Sequence, residues 1–309
     1  MRVVFMGTPD FAVPCLEALM NAGHEVVAVF SQPDKPVGRK QVLTAPPVKE
    51  TALKYGIPVY QPQRIKDSDT AEIIEKLHPD INVVVAYGKI LPADVLSAAH
   101  YGSVNVHASL LPKYRGAAPI QWAVLNGDAE TGVTVMQMDE GLDTGDMLHV
   151  KKTEIGENET SEELFERLSA IGAEALIEAL ELIESGNVNP IKQPEGDFGY
   201  ARMITKADSL IDFTKSAAEI HNKIRGLQTW PVAVTTLLGK NLKIHKTVKC
   251  DSRGGKPGEI MESGKKLIVS CGDGKCLEIL ELQLDGKKRM DAKSFLSGNK
   301  IEIGTVLGE

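Results

Sequence analysis

The sequence predicts an α/β fold in which a mostly parallel sheet flanked by helices is followed by a small β-barrel. Three observations support this prediction. In the first half, apolar runs typical of buried strands alternate with segments of helical periodicity, a pattern typical of βαβ units. Later in the chain, short strand-like runs separated by glycine turns follow one another closely, as in small barrels. The 309 residues also exceed the size of most single cores, so two domains are expected.

The first predicted element is a buried strand over Arg2–Met6. An apolar-periodic helix follows and ends near Gly23, and a second strand is predicted over Glu25–Phe30. A strand, a helix and a strand at this spacing predict a right-handed parallel crossover, and hence a Rossmann-like sheet. The intervening turn, GTPD at residues 7–10, lacks the G-x-G-x-x-G fingerprint. It therefore gives no support for a dinucleotide site.

The same two periodicities predict the other elements of the first domain. Helical patterns cover residues 48–55, 70–77 and 162–185, and strand patterns cover residues 57–60, 81–86, 131–138 and 147–152. The strand over 81–86 ends at Tyr87 and Gly88, and another β-branched run ends at His107. Open parallel sheets bind ligands at the carboxyl ends of their strands. We therefore expect these two strand ends to be neighbours in a binding site.

A segment rich in proline and glycine, residues 31–47, separates the second strand from the next helix. It carries three cations within a short distance, Lys35, Arg39 and Lys40. A loop of this length without secondary structure of its own is usually functional or disordered, and clustered cations favour contact with phosphates. The alternative, a merely solvated mobile loop, stays open on composition alone.

A second stretch with several prolines and glycines and little periodicity separates the two domains. We expect a first domain over residues 1–188, a linker over 189–206 and a C-terminal OB-like β-barrel over 207–309. Within the last domain, a helix is predicted over 217–226. Five short strands follow, at residues 232–238, 242–248, 258–261, 266–270 and 276–284.

The two domains differ in charge, although the whole chain carries a net charge of −7. From Lys206 onward there are 18 basic and 13 acidic side chains, against 17 basic and 29 acidic ones in the first 205 residues. An acidic chain argues against a nucleic-acid partner, but this asymmetry permits a basic surface on the barrel that faces a polyanion. Chance scatter of solvated charge is the alternative.

The sequence gives no indication of a membrane protein, a disulfide-rich protein or a metal-dependent protein. No apolar run approaches the roughly eighteen residues of a membrane span, and no leader-like segment follows Met1, so we expect a cytoplasmic protein. Cys271 and Cys276 lack a second Cys or His pair to complete a zinc site. The acidic residues over 139–146 miss the ligand spacing of a calcium loop. We therefore expect no metal.

The densest group of candidate catalytic side chains lies between Ser103 and Met147. Asn105 and His107 are two residues apart in a predicted strand, so both side chains leave the same face. Further along, the turn GLDTGD presents Asp143 between glycines. An amide donor, an imidazole and a carboxylate can together stabilise an oxyanion as a nucleophile adds to a carbonyl. No serine or cysteine is placed to attack, which favours direct transfer between two substrates. Taken singly, the histidine and the aspartate also fit structural roles, as a core residue and a turn cap.

Longer stretches around these side chains resemble the folate-dependent formyltransferases. The similar motifs are NVHASLLP at 105–112, YRGAAPIQ at 114–121, QMDEGLDTGD at 137–146, GTPDF at 7–11, the loop over 32–39 and VAYG at 85–88. The resemblance covers essentially the whole chain, including its layout of α/β domain, linker and basic barrel. Two positions differ from the family pattern: Ala108 stands where glycine is common, and Trp122 where a basic residue can stand. The second difference puts one contact to tRNA or folate in doubt.

The resemblance implies a reaction. The formyl group of 10-formyltetrahydrofolate passes to the α-amino group of methionyl-initiator-tRNA, the substrate that starts translation, and no metal is needed. Within this reaction Asn105 and His107 stabilise the tetrahedral oxyanion, and Asp143 orients the imidazole and assists proton removal from the amine.

The resemblance also implies two binding regions. The folate pocket is implied at four consecutive residues and at the end of the neighbouring strand: Ser109, Leu110, Leu111, Pro112, Tyr87 and Gly88. The acceptor end of tRNA is implied to meet the loop with Lys35, Arg39 and Lys40, while the barrel holds the acceptor arm. A monomer is expected.

Two other functions are compatible with the residues. A formyltransferase acting on a small amine, either a purine-pathway ribonucleotide or an amino sugar, would use the same three side chains. The purine enzyme would lack a C-terminal domain and would need a glycine-rich phosphate loop where this chain has GTPD. A non-catalytic RNA-binding module would use the barrel and the basic loop, and it would bind tRNA without binding folate.

Overall fold

The computed structural model of the protein describes residues 1–38, 40–66 and 68–309. The chain forms two compact units, each assembled from separate segments. The first unit contains Met1–Gly116, Thr131–Thr153 and Phe165–Tyr200, and the second contains Ala117–Glu130, Glu154–Leu164 and Ala201–Glu309. The domain boundaries expected from the sequence, at residues 188 and 207, stay a prediction.

The strands and helices are labelled in chain order. The strands up to residue 201 are β1 (Arg2–Gly7), β2 (Glu25–Phe30), β3 (Lys35–Val37), β4 (Val42–Thr44), β5 (Val59–Tyr60), β6 (Ile81–Val85), β7 (Ser103–His107), β8 (Arg115–Gly116), β9 (Glu130–Gln137), β10 (Met147–Glu154) and β11 (Tyr200–Ala201). The helices of the same stretch are α1 (Val13–Asn21), α2 (Pro47–Lys54), α3 (Thr70–Leu77), α4 (Ala93–Leu96), α5 (Pro119–Leu125) and α6 (Ser161–Glu184). Within the described parts of the chain, no helix has the length and apolar character needed to cross a membrane.

A seven-stranded sheet in the order β10-β9-β7-β6-β1-β2-β5 organises the first unit. Its neighbours β7, β6, β1, β2 and β5 pair in parallel, whereas β9 runs antiparallel to β7. The central parallel strands β1 and β6 are buried on both faces, since apolar residues follow one another without alternation: Val3, Val4, Phe5 and Met6 are all fully buried. The carboxyl ends of these strands share one edge of the sheet, where ligand sites of open α/β sheets lie.

Helix α6 packs closely against this sheet. A Cβ added at Gly172 would lie 3.2 Å from a methyl carbon of Val106 on β7 and 3.9 Å from the Cys15 sulfur. Ser169, one turn earlier, donates its hydroxyl to the Phe11 carbonyl at 2.9 Å. The absence of a side chain at Gly172 therefore allows the helix backbone to approach the strand that carries the candidate catalytic residues.

The basic segment over 31–47 contains secondary structure, so the expectation of an irregular loop is wrong. Strands β3 and β4 form an antiparallel hairpin in which Val37 pairs with Val42. Proline and glycine obscured this pattern in the sequence, but an isolated two-stranded hairpin tolerates proline because its outer N–H groups need no partner. At the base of the hairpin, Asp34 accepts hydrogen bonds from Lys49 at 2.8 Å and from Gln61 at 2.8 Å. These donors lower the pKa of the Asp34 carboxyl.

The C-terminal part of the second unit is an antiparallel β-rich domain. Its elements are α7 (Ala217–Gly226), β12 (Ala233–Leu237), β13 (Lys240–Cys250), β14 (Ile260–Ser263), β15 (Leu267–Ser270), β16 (Cys276–Leu284), β17 (Met290–Asp291) and α8 (Ala292–Gly298). The strands form a sheet in the order β12-β13-β16-β15-β14, with β17 paired to β16. The predicted fold class, a parallel-dominated α/β domain followed by a β-rich one, is confirmed. The sequence prediction missed the last helix, α8.

Candidate active site

The structure brings the three predicted catalytic side chains together at the carboxyl end of β7. The Nδ2 atom of Asn105 lies 3.5 Å from Oδ1 of Asp143. The Nδ1 atom of His107 lies 3.7 Å from Oδ2 of the same carboxylate. Both strand residues face Asp143 because they are separated by one residue on β7, as the sequence predicted.

His107 is held by a backbone carbonyl. The ring is 6% exposed, and its Nε2 lies 2.9 Å from the carbonyl oxygen of Tyr114. Since a carbonyl oxygen only accepts, Nε2 carries the proton and Nδ1 is the nitrogen that faces Asp143. Sequence reasoning missed Tyr114 as a partner of the imidazole. No signal for it exists in the sequence, because any residue presents the same carbonyl.

Asp143 adopts a backbone conformation that is uncommon for a residue with a side chain. Its φ is 54°, in the left-handed region. One carboxylate oxygen, Oδ2, accepts the backbone N–H of Gly116 at 2.9 Å. The side chain is 14% exposed, so the carboxylate is mostly shielded from solvent but still reachable. A charged acceptor next to an imidazole and an amide can receive a proton from a substrate amine.

The turn around Asp143, residues 139–146, is built from short-range contacts. The Asp139 carboxylate accepts the backbone N–H of Gly141 at 3.0 Å and the Thr144 hydroxyl at 2.7 Å. A Cβ added at Gly145 would lie 1.8 Å from the Gln137 carbonyl oxygen, so no larger residue fits there. Across residues 1–38, 40–66 and 68–309, no group of three or more His, Cys, Asp or Glu residues is arranged to hold a metal ion.

Gln193 contacts the same turn from a distant part of the chain. Its Nε2 donates to the carbonyl oxygens of Asp143 at 2.9 Å and Gly145 at 2.7 Å. Its Oε1 accepts two hydrogen bonds from the guanidinium of Arg115. Sequence reasoning missed Gln193 because it falls in the stretch expected to be a linker.

The segment over 109–112, predicted to bind folate, is fixed to β9 by one threonine. Thr134 is fully buried, and its hydroxyl accepts the Leu111 N–H at 3.1 Å and donates to the Ser109 carbonyl at 2.7 Å. The Ser109 hydroxyl is itself buried and donates to the Lys113 carbonyl at 2.6 Å. The Ser109 hydroxyl therefore serves to hold the conformation of the loop. Leu110 and the last residue of the segment are only partly buried, which leaves an apolar edge available for contact.

A cleft of about 280 Å³ opens beside this segment and the Asp143 turn. Pro112 lies on one side, and Leu142 and Thr144 from the turn lie on another. Phe198 and Tyr200 add aromatic surface, and Tyr200 is 61% exposed. The cleft is thus mainly apolar and lies next to the predicted catalytic residue Asp143, as a substrate pocket would.

Tyr87 and Gly88, predicted near the folate pocket, follow β6. The Tyr87 side chain is 1% exposed and packs in an apolar cluster with Val4 and Phe30, and burial raises the pKa of its phenol. Its carbonyl accepts from Thr8 at 3.0 Å. Gly88 has a φ of 75°, a conformation that favours glycine. What these two residues present to the sheet edge is therefore mainly backbone.

Two of the three predicted phosphate-binding cations belong to the β3–β4 hairpin. Lys35 is exposed and donates to Gln32 at 2.7 Å, and Lys40 is exposed in the hairpin turn. Arg39 lies outside the described residues. The hairpin also exposes the apolar side chains of Val42 and Leu43, at 58% and 67%. Exposed apolar groups beside cations are a feature of surfaces that bind partners.

Trp122, one of the two positions that differ from the family pattern, has a structural role in the second unit. Its indole N–H donates to the Arg202 carbonyl at 2.8 Å, and the Arg202 guanidinium lies 5.0 Å from the ring centre. This stacking places a cation over the aromatic face. The arginine in turn pairs with Asp208, which lowers the pKa of that carboxyl.

Comparison with known proteins gives a consistent result over the whole chain. The formyl transferase family matches residues 1–180, and the formyl transferase C-terminal domain matches residues 203–300. A protein of Lachnospira eligens named methionyl-tRNA formyltransferase is 50% identical over 316 residues, with all of both chains covered. A protein of the same name from Geobacter metallireducens is 49% identical, covering 100% of this chain and 99% of its own.

Solved structures show the same fold at low sequence identity. The N-formyltransferase of Helicobacter canadensis, solved with folinic acid and dTDP-3-aminofucose, has a TM-score of 0.70 at 22% identity and covers 90% of this chain and 98% of its own. HypX of Aquifex aeolicus, solved with tetrahydrofolic acid, has a TM-score of 0.66 at 18% identity. It covers 99% of this chain and 50% of its own.

Proposed function

The chain belongs to the formyl transferase family, and on that premise we propose that it formylates methionyl-initiator-tRNA. The donor is 10-formyltetrahydrofolate, the acceptor is the α-amino group of the esterified methionine, and the product is N-formylmethionyl-tRNA for translation initiation. The observation that carries this proposal is the identity of about 50% with relatives named methionyl-tRNA formyltransferase, which extends over both parts of the chain.

The first chemical step is addition of the amine to the formyl carbon. The nitrogen lone pair forms the new C–N bond, and the carbonyl electron pair moves to oxygen to give a tetrahedral oxyanion. Asn105 carries an amide donor at the point where this charge develops. His107 is a second donor once Nδ1 holds a proton, and the carboxylate 3.7 Å away pairs with the resulting imidazolium.

The second step removes the amine proton and expels tetrahydrofolate. Asp143 accepts the proton from the attacking nitrogen, because its carboxylate is partly exposed and lies within reach of both oxyanion donors. The oxyanion then collapses, the bond from the formyl carbon to N10 of the folate breaks, and the proton held by Asp143 passes to N10. Ser109 takes no covalent part, since its hydroxyl is buried and already bonded to a carbonyl.

We assign the folate pocket to Ser109–Pro112 together with the backbone at Tyr87 and Gly88. The support is the apolar edge of the first segment and its place beside the cleft that contains Leu142. The benzoyl ring of the donor is flat and apolar, so it suits such an edge. Neither the donor nor the chemistry requires a metal ion.

We assign tRNA binding to the β3–β4 hairpin and the C-terminal domain. The support is the cluster Lys35, Arg39 and Lys40, the exposed apolar residues beside it, and the basic excess beyond Lys206. In this assignment residues 1–188 are the catalytic domain, 189–206 the linker and 207–309 the tRNA-binding domain.

The assignment of the hairpin has a direct test. Arg39→Ala is expected to weaken use of tRNA and to reduce the slope of log affinity against log salt by about one unit for each phosphate that the arginine neutralises. Lys54→Ala, an exposed lysine at the end of α2, is the matched control and should keep the wild-type slope. An unchanged slope in Arg39→Ala would remove that side chain from the phosphate contacts.

The function itself is tested by offering the protein labelled 10-formyltetrahydrofolate with one acceptor at a time. Methionyl-initiator-tRNA should become labelled, whereas a dTDP-amino sugar and a purine-pathway ribonucleotide should not. Label on the sugar instead would assign the chain to the sugar branch represented among its structural neighbours. Tight tRNA binding without label transfer would favour a non-catalytic RNA-binding module.

Two further proposals concern the state of the protein. We propose a monomer, which sedimentation of the free protein tests directly. We also propose that it works in the cytoplasm, where its charged tRNA substrate is made, and localisation of a tagged chain tests this.

A further inference from the structure

Gln193 is a buried side chain whose amide donors and acceptor all form hydrogen bonds, two of them to the Asp143 turn. The residue is 6% exposed. Its Nε2 lies 2.9 Å from the Asp143 carbonyl oxygen and 2.7 Å from that of Gly145. Its Oε1 lies 2.9 Å from Nε and 2.7 Å from Nη2 of Arg115. Both amide hydrogens and the amide oxygen therefore have partners of the opposite kind.

These partners permit one orientation of the amide. The guanidinium of Arg115 only donates, so the atom it faces must be the oxygen. The two backbone carbonyls only accept, so the atom between them must be the nitrogen. A flipped amide would oppose donors to donors and acceptors to acceptors. The arginine fork thus determines where Gln193 points its two N–H groups.

The backbone that Gln193 binds needs external support. Asp143 has a φ of 54°, and the left-handed region is unfavourable for a residue with a side chain. Such a conformation persists when neighbouring contacts over-determine it. Gln193 contacts the carbonyls of residues 143 and 145, so one rigid planar group holds the peptide groups that follow Asp143 and Gly145.

We propose that Gln193, oriented by Arg115, is a positioning residue that keeps the Asp143 carboxylate directed at Asn105 and His107. The inference rests on the proposed function, since it assigns a purpose to Gln193 through the role of Asp143 in the reaction. Without the amide, the turn relaxes from its left-handed conformation and the carboxylate leaves the point 3.5 Å from the Asn105 amide.

The test uses two substitutions of different character in the full-length protein. Gln193→Ala removes all four hydrogen bonds. Gln193→Glu keeps the size of the side chain and the acceptor for Arg115, but it places an oxygen against two carbonyl oxygens. Both should lower kcat for formylation of methionyl-tRNA by about 10², the scale of a catalytic group misplaced by about 1 Å. KM for both substrates should stay within about twofold, because the interaction that is removed matters in the transition state.

Asn82→Ala is the matched control. Asn82 is a fully buried amide on β6 that donates to the Val95 carbonyl at 3.1 Å and to the Ser103 hydroxyl at 3.2 Å. Its removal should destabilise the fold to a comparable extent while kcat stays at the wild-type value. If Asn82→Ala and Gln193→Ala lower kcat equally at the same folded fraction, Gln193 has no special relation to the site and the proposal fails.

A double-mutant cycle separates this inference from its premise. Adding Gln193→Ala to Asp143→Ala should cause no further loss of single-turnover rate, because Gln193 acts only through the Asp143 carboxylate and that carboxylate is already absent. Losses that multiply would show that Gln193 acts elsewhere, and the proposal would be overturned. A wild-type rate in Asp143→Ala would overturn the proposed role of the carboxylate as well. A slow Asp143→Ala beside a normal Gln193→Ala would overturn the inference alone.

Discussion

Thr134 offers the sharpest test of how the segment over 109–112, the proposed folate-binding segment, is held. Its hydroxyl is fully buried between the Leu111 N–H, at 3.1 Å, and the Ser109 carbonyl, at 2.7 Å. Thr134→Val keeps the shape of the side chain but leaves both backbone groups without their partner. A buried polar group that loses its partner costs about 1–3 kcal/mol, so two groups should lower the free energy of unfolding by about 2–6 kcal/mol.

The segment can recover part of this cost by moving until both groups reach water. If about 1.4 kcal/mol is recovered in that way, the folate-competent position is populated about tenfold less, and KM for the folate co-substrate rises about tenfold. Denaturant unfolding measures the first effect, and initial rates at varied 10-formyltetrahydrofolate measure the second.

Thr235→Val is the control for the chemistry of the substitution. Thr235 is 1% exposed, and its hydroxyl has no hydrogen-bond partner within the part of the chain that the structure describes. The same change there should leave stability unaltered or raise it, because an unpaired buried hydroxyl is replaced by a methyl group. If the two variants unfold at the same denaturant concentration, the hydroxyl of Thr134 is not holding the segment.

Three other outcomes are expected. Asn105→Ala and His107→Ala should each lower kcat by about 10² or more, as for loss of an oxyanion donor or acid/base group, and a near-normal single-turnover rate would remove the side chain from the mechanism. Gly145→Ala places a Cβ 1.8 Å from a backbone carbonyl oxygen, so kcat should fall steeply. At Gly264, an added Cβ would meet none of the described residues beyond its chain neighbours within 4 Å, so Gly264→Ala should match wild type, and equal rates in the two variants would contradict the tight turn. Burial lowers the pKa of His221 from its ordinary 6.5, so the unfolded chain binds the proton first and stability should fall as pH drops below about 6.5. Unfolding midpoints between about pH 7.5 and 5 measure this, and an unchanged slope in His221→Gln would argue against it.

The sequence was informative about the site wherever the relevant rule is local. Asn105 and His107 share a face because successive strand residues alternate, and both side chains point to Asp143 in the structure. The approach of Asp143 itself was not a local inference. It came from the resemblance to formyltransferases, since no periodicity relates a turn residue to a strand whose nearest point is many residues away.

The residues that sequence reasoning missed all act through backbone groups. The Tyr114 carbonyl fixes the imidazole, Thr134 fixes the segment over 109–112, and Gln193 fixes the Asp143 turn from 50 residues along the chain. A polar side chain that bonds to a distant carbonyl has the same residue type as one that faces solvent. Which carbonyl it contacts depends on where the fold places the two segments relative to each other, and no local sequence pattern encodes that placement.

What the sequence determined by itself is the order of the elements, the parallel character of the first sheet and the sheet edge at which the candidate site lies. These follow from short-range rules, namely residue spacing, burial pattern and the handedness of crossovers. The tertiary structure decided which nitrogen of His107 faces the carboxylate and which groups hold Asp143 in its left-handed conformation. Those features depend on hydrogen bonds of fixed length and direction between distant segments, and such geometry exists only once the chain has folded.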